Sequence, residues 1–343
     1  MYEQTLHKTP VENKRFLVTG GAGFIGSNIT EYLLQHGAKV RVFDNLATGN
    51  IENLSEFKTN PNFEFFEGDL RKVEDCANAC KEIDAVCHQA AIGSVPRSIK
   101  DPVTSNDVNV GGFVNMLTAA KDAGIKRFVY ASSSSVYGDE PNLPKKEERI
   151  GNPLSPYAVT KFTNEVYASV FSRCYDLELI GLRYFNVFGP KQDPYGEYAA
   201  VMPLFIKGLL EDEAPYVNGD GEQTRDFTFV HNAVQANILG LTTDNPAAFN
   251  QAYNVAFCER FTINQMYEAI KNYLEKMRNQ NAAQTIKNYL KKDINAIHRD
   301  PRAGDIRDSL ADISKAHNLL GYSPQYSFEQ GLPLTIEYFK KVF

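Results

Sequence analysis

Tyr157 and Lys161 stand four residues apart in the stretch SPYAVTK, immediately behind Pro156. On an α-helix positions i and i+4 lie one above the other, so a phenol and an ammonium at this spacing reach one point beside the helix. Pro156 suits the first turn of such a helix, where its missing N–H is no loss. A phenol titrates at about 10 in water and becomes a usable base near neutrality only where positive charge favours the phenolate. Lys161 would supply that charge. Taken alone, Tyr-x-x-x-Lys also describes an ordinary exposed pair, and the rest of the chain has to separate the two.

A second group of residues suggests what the phenol would serve. Thr19-Gly20-Gly21-Ala22-Gly23-Phe24-Ile25-Gly26 follows a β-rich run, RFLVT, and precedes a helical one. Glycines let the backbone turn tightly and approach a pyrophosphate, whose charge is met by the free amides at the helix start. The next β-rich run ends in Asp44, where a carboxylate accepts both ribose hydroxyls of an adenosine and repels a 2′-phosphate. NAD is therefore expected rather than NADP. Asp69, at the end of FEFFEGD, is read in two ways: as the partner of an adenine amino group, or as the cap of the helix behind it.

Such groups need a scaffold that brings strand ends and helix starts to one edge. From Arg15 the runs RFLVTG, AKVRVFD, FEFFEGD, DAVCHQA, KRFVYASS and LELIGLRYF alternate with helical stretches. They are apolar throughout rather than alternating, as strands covered on both faces are. The expected fold class is α/β, a doubly wound parallel Rossmann sheet over residues 16–185, preceded by a short extension at 1–15. A smaller α/β lobe at 186–343, with interleaved elements, would cover the sheet's carboxyl edge. Gly37 and Gly124 fall where helices should end in a left-handed cap. Thr262 to Lys292 reads as largely helical, with an exposed turn at MRNQNAAQ.

Composition narrows the ligand. The chain has 343 residues, 43% hydrophobic, and a net charge of −6 without a Lys/Arg-rich run, which argues against nucleic acid or an anionic membrane as partner. Cys76, Cys80, Cys87, Cys174 and Cys258 are scattered, so free thiols in a reducing cytoplasm are expected. No apolar run is long enough to cross a membrane. His88 and His231 lack a paired ligand set and read as structural or capping residues, with no metal expected.

With VYASSSSVYGD some two dozen residues ahead of SPYAVTK, the chain resembles the extended short-chain dehydrogenase/reductase superfamily. RYFNVFGP and GDGEQTRDF make it similar to the nucleotide-sugar 4-epimerases, in particular the UDP-N-acetylglucosamine type. The resemblance implies a NAD-dependent 4-epimerisation through a 4-keto sugar, with Tyr157 as base, Lys161 holding the nicotinamide ribose and Ser133 bonding the sugar's 4-oxygen. It also implies cofactor contacts from Gly20, Gly23, Phe24, Ile25, Gly26, Asp44, Asn45 and Asp69. Leu70, Gln89, Ala90, Ala91, Asn106 and Tyr184 complete that set. For the UDP-sugar it implies Asn186, Arg225 and Arg302 at the diphosphate, Asp305 at ribose or uracil, and Tyr216 and Val201 as the uridine wall. Ser94, Arg97 and Ser134 would lie near the hexose.

Within this resemblance, Ser134-Ser135 stands where dehydratases carry an acidic pair and where a decarboxylase would place an acid. Ser309 occupies a gate position filled by tyrosine in enzymes confined to non-acetylated sugars, which leaves room for an acetamido group. Arg97 could instead meet a carboxylate, so UDP-N-acetylglucosaminuronate and UDP-glucuronate stay open. A non-catalytic dinucleotide-binding regulator is the rival of another class, although such proteins usually lose the tyrosine or lysine. Helices near Val103 to Ala123 and Pro156 to Ser172 resemble the pair through which relatives form homodimers.

Overall fold

The computed structural model describes residues 2–195, 200–280, 294–301 and 307–343. In chain order, β1 (Arg15–Thr19) feeds through the glycine turn into α1 (Phe24–Gln35), followed by β2 (Lys39–Asp44), β3 (Phe63–Glu67), α2 (Val73–Ala79) and β4 (Ala85–His88). Three short helices come next, α3 (Val95–Lys100), α4 (Pro102–Asn106) and α5 (Gly112–Asp122), the last two joined by a π turn at Asp107–Gly111. Then β5 (Arg127–Ser133) leads to α6 (Pro156–Tyr175) and β6 (Glu178–Tyr184). The second half holds β7 (Val187–Phe188), α7 (Val201–Leu210), β8 (Tyr216–Asn218), β9 (Thr224–Arg225), β10 (Thr228–Phe229) and α8 (Val230–Thr242). It continues with β11 (Gln251–Val255), β12 (Phe261–Thr262), α9 (Ile263–Gln280), β13 (Ile297–Arg299), α10 (Ser314–Leu320) and α11 (Phe328–Val342).

Seven strands form one sheet in the order β11-β6-β5-β4-β1-β2-β3, and every pairing is parallel. The strand order reverses between β1 and β4, which opens a crevice at the carboxyl ends of the strands. The expected doubly wound sheet is thus present, with one strand the sequence pattern did not reveal. QAYNV, far beyond the first six strands, pairs with β6 from Gln251↔Ile180 to Val255↔Tyr184. Helix α8 is buried along its whole length and packs in the same core as α1, so the second half of the chain also builds the sheet's cover.

Gly37 and Gly124 do adopt the left-handed conformation, with φ of 76° and 73°. Met277 to Gln280, expected in an exposed turn, still belong to α9, and the rest of that stretch lies outside the described residues. A second apolar core joins α7, α9 and α11 under the short strand pairs. Those pairs, β10-β7, β12-β9 and β13-β8, are separate two-stranded ribbons. No helix among the described residues is long and apolar enough to cross a membrane.

Candidate active site

Pro156 begins α6, and the Ser155 hydroxyl caps it by accepting the Ala158 amide at 3.2 Å. The helix is also set against α3, because the Tyr157 amide donates to Ser98 Oγ at 3.0 Å. This brings Tyr157 and Lys161 to the ends of β4 and β5 on one face. The Tyr157 hydroxyl faces Ser133. Lys161 Nζ, 3% exposed as a residue, donates to the Ala131 carbonyl at 2.9 Å and lies 5.9 Å from the Tyr157 ring centre. Ser133 in turn accepts from the Ser135 amide at 3.1 Å and its hydroxyl at 2.9 Å, which fixes the serine turn after β5.

Burial raises the Tyr157 phenol above its ordinary value, and Ser133 only offsets part of this. Burial likewise brings the Lys161 ammonium down to about 8. The charge expected to favour the phenolate is that of Lys161 together with a bound nicotinamide; in the protein by itself burial sets the direction of shift at both Tyr157 and Lys161.

A cavity of about 880 Å³ runs along the crevice. All the expected cofactor contacts except Asn106 line it: Gly20, Gly23, Phe24, Ile25 and Gly26 at the turn, Asp44 and Asn45 after β2, Asp69 and Leu70 after β3, Gln89, Ala90 and Ala91 after β4, and Tyr157, Lys161 and Tyr184 at the far end. The turn is shaped for backbone approach. Gly20 has φ of 66°, and a Cβ there would meet the Ala90 amide nitrogen and Cα at 2.7 Å. Gly23 sits at the N-cap of α1 without a side chain, so the first amides of the helix face the turn. Asp44 accepts the Ala22 amide on one oxygen at 3.0 Å and the Leu46 amide on the other at 2.9 Å, with lone pairs left for ribose hydroxyls. Burial raises its carboxyl above the ordinary value, and these amides oppose that rise. A glycine cradle, a helix start and a carboxylate in this order fit NAD.

Two readings change. Asp69 does not cap a helix, since α2 begins behind Lys72; its carboxylate is held by Arg71 at 2.6 Å and by Asn45 at 3.2 Å, and the Arg71 hydrogen bonds keep it well below the usual carboxylate range. Asn106 is exposed at the end of α4, and Thr104 and Val108 reach the cavity instead. The buried asparagine of this stretch is Asn109, which accepts the Ile92 amide at 2.8 Å and donates to Thr160 on α6 at 3.2 Å.

Of the expected sugar-nucleotide residues among the described ones, only Arg97 lines the cavity. Ser94 caps α3, accepting the Arg97 amide at 3.2 Å with φ of 130°. Ser134 starts the turn after β5. Asn186 is exposed with φ of 25°, and its carbonyl accepts the Thr228 amide at 3.2 Å. Val201 opens α7 beside the lining residue Ala200. Tyr216 carries the Arg299 guanidinium on one face, 3.0 Å from its ring centre. Arg225 donates to the Thr224 carbonyl at 2.8 Å and the Arg307 carbonyl at 3.1 Å. Ser309 is buried next to Asp308, which accepts the Thr224 hydroxyl at 2.7 Å. Arg302 and Asp305 lie outside the described residues.

The buried Asp226 ties these pieces together, accepting the Phe257 amide at 3.2 Å and the Ala311 amide at 3.1 Å; burial pushes its carboxyl up to about 7.

Several contributors had not been anticipated. Glu165 is one turn beyond Lys161, accepts the Ser132 hydroxyl at 2.5 Å, and grips Arg183 at 2.9 and 2.7 Å. It locks α6 to β5 and β6, and its i+4 spacing from Lys161 was a usable signal. Lys191 to Tyr195, Tyr338 and Val342 close the cavity from the second half, with no motif to announce them. His88 is a structural residue: it bonds Thr19 Oγ1 at 2.9 Å, packs on Phe113 and Phe128, and burial brings it down to about 3. Among the described residues no three His, Cys, Asp or Glu side chains converge as a metal site would require.

Comparison with known proteins agrees with this geometry. Residues 17–335 match the family described as GDP-mannose 4,6 dehydratase. A putative UDP-glucose 4-epimerase of Methanocaldococcus jannaschii is 36% identical over 94% of this chain and 98% of its own length. The structure of a UDP-N-acetylglucosamine 4-epimerase from Methanobrevibacter ruminantium, in complex with UDP-N-acetylmuramic acid, is similar at 39% identity and a TM-score of 0.87, covering 97% of this chain and 100% of that one. A UDP-glucuronic acid 4-epimerase from Bacillus cereus, in complex with UDP-glucuronic acid and NAD, is similar at 30% identity and a TM-score of 0.85, covering 96% and 100%.

Proposed function

We propose, from the premise that this chain belongs to the GDP-mannose 4,6 dehydratase family and is a NAD-dependent nucleotide-sugar 4-epimerase of the extended short-chain dehydrogenase/reductase type, that it interconverts UDP-GlcNAc and UDP-GalNAc. The observation that carries the sugar assignment is Ser309, a small side chain buried beside the ribbon that bears Arg225. A hydroxymethyl group at that position is smaller than the tyrosine that, by the resemblance, enzymes confined to non-acetylated sugars carry there. The UDP-N-acetylglucosamine 4-epimerase among the similar structures supports the same choice.

When bound, the dinucleotide supplies a hydride acceptor and donor at the sugar's carbon 4. The protein's own part is proton management and orientation. Tyr157 takes the 4-hydroxyl proton and returns it after the sugar has presented its other face, while Ser133 holds the 4-oxygen. Lys161, anchored on Ala131, keeps the helical face and its charge beneath the reacting pair. Ser134 and Ser135 stand where a dehydratase would carry its acidic pair, which favours return of hydride to the 4-keto sugar over loss of water.

Arg97 favours a second reading: it projects from α3 into the cavity, where its guanidinium would suit a carbon-6 carboxylate. Incubation of the purified protein with UDP-GlcNAc, UDP-glucose, UDP-glucuronate and UDP-N-acetylglucosaminuronate, with products separated by chromatography, decides between them. Conversion of UDP-GlcNAc to UDP-GalNAc at the highest kcat/KM is expected, and preference for either uronate would reassign the sugar.

The proposed assembly is a homodimer. Val159, Val166 and Val170 follow one another along α6 at 50%, 50% and 40% exposure, and Val103 on α4 is 69% exposed. An apolar stripe at this spacing suits a second copy of the same helix pair. A dimer mass in light scattering, reduced to a monomer by Val166→Glu, is the expected result.

A further inference from the structure

We infer that the segment ahead of β1 is a brace for the substrate wall of the cavity, and that Tyr2 is a positioning residue acting through Asn28. The rolled-in segment is built into the fold. Tyr2 is 1% exposed, with its ring stacked on His231 at 5.3 Å and edge-on to Tyr32 at 6.0 Å. The Leu6 amide donates to the Tyr32 hydroxyl at 2.8 Å, and Lys8 and Thr9 bond Thr242 at the end of α8, both at 3.1 Å. Val11 is fully buried.

The Tyr2 hydroxyl donates to Asn28 Oδ1 at 2.8 Å. Asn28, on the second turn of α1, donates from Nδ2 to the Phe24 carbonyl at 2.9 Å and to the Pro190 carbonyl at 3.2 Å. A carboxamide has one accepting and one donating end, so turning Asn28 over would set its oxygen against two carbonyl oxygens. The two carbonyls set this orientation, and the Tyr2 hydroxyl, kept protonated by burial, holds it by donating to the amide oxygen. Pro190 opens the stretch Lys191–Tyr195 that lines the cavity, and Lys191 Nζ reaches Glu31 on the next turn of α1 at 3.0 Å. The wall thus hangs on α1 at two points, and the first is held by Tyr2, ahead of β1.

This rests on the reading that a UDP-sugar lies along that wall. Tyr2→Phe keeps the ring packing and removes one hydrogen bond. In the NAD-loaded enzyme KM for the UDP-sugar should rise about three- to tenfold while kcat stays within about twofold, the pattern of lost binding rather than lost chemistry. UDP affinity by calorimetry should weaken by the same factor. Asn28→Leu should reproduce the effect, with Tyr2→Phe adding nothing further in the double variant. A lower melting temperature with unchanged KM and UDP affinity in Tyr2→Phe would overturn the brace. Failure of the wild-type protein to bind UDP would instead overturn the substrate reading, and the brace with it.

Discussion

The two ends of the site rest on different supports. The contacts proposed for the dinucleotide come from the carboxyl ends of parallel strands, all but the edge strand β3 held by two neighbours, and from one glycine turn pressed against the backbone that follows β4. The contacts proposed for the sugar nucleotide come from ribbons only two or three residues long, a helix start and segments cross-tied by Asp226 and the Thr224–Asp308 bond. The first end is rigid because the sheet is rigid. The second owes its shape to a few side-chain bonds, so it is where relatives on one scaffold can change their sugar without disturbing the chemistry.

The largest break in that contrast should come from the group that serves both ends. Tyr157→Phe removes the base, and turnover should fall by roughly a thousandfold or more, whereas NAD released on denaturation should match the wild-type amount. Near-normal turnover would move the proton transfer to another residue. Next is the rigid end alone. Gly20→Ala puts a Cβ onto the Ala90 backbone at a φ of 66°, and should leave the purified protein with little bound NAD. The left-handed backbone alone costs about 1–2 kcal/mol for an L-residue, so a drop in melting temperature is expected too. Full NAD content would mean that the turn shifts freely.

Ser309→Tyr tests the adaptable end by itself. Conversion of UDP-GlcNAc should drop about a hundredfold, while UDP-glucose conversion, if present, changes little, because the added ring competes only with the acetamido group. Equal losses on both sugars would make Ser309 a folding residue instead of a gate.

This contrast also explains what could be read from the chain beforehand. Motifs at the rigid end are local: a strand, a glycine turn and a helix lie within a dozen residues, so Gly20 to Gly26, Asp44, Tyr157 and Lys161 were legible and meet in one cavity. Asn106 came from the resemblance alone, and the sequence does not show that, of the two asparagines beside the π turn at Asp107–Gly111, Asn109 is the one turned inward. Asp69 was open to a capping role because spacing cannot show that Arg71, two residues on, folds back onto its carboxylate. QAYNV was missed because its partner strand lies some seventy residues earlier, as Gln251↔Ile180 shows. The brace ahead of β1 carries no periodicity, and its meaning depends on Asn28 and Pro190 meeting in space.

The smallest effect separates charge from scaffold at Lys161. Its ammonium, brought down to about 8 by burial, loses its proton above that pH, and kcat/KM should then fall by up to about tenfold per pH unit. Stability should move the other way. The unfolded lysine keeps its proton up to its ordinary value of 10.5, so between about 8 and 10.5 the unfolded state binds more protons than the folded one, and this group's contribution to stability rises with pH. An alkaline loss of activity over that window is therefore not explained by unfolding at this residue. Lys161→Arg, whose guanidinium stays charged throughout, should be slower at pH 7 yet show no limb between pH 8 and 10; a limb that persists in the variant would belong to another group.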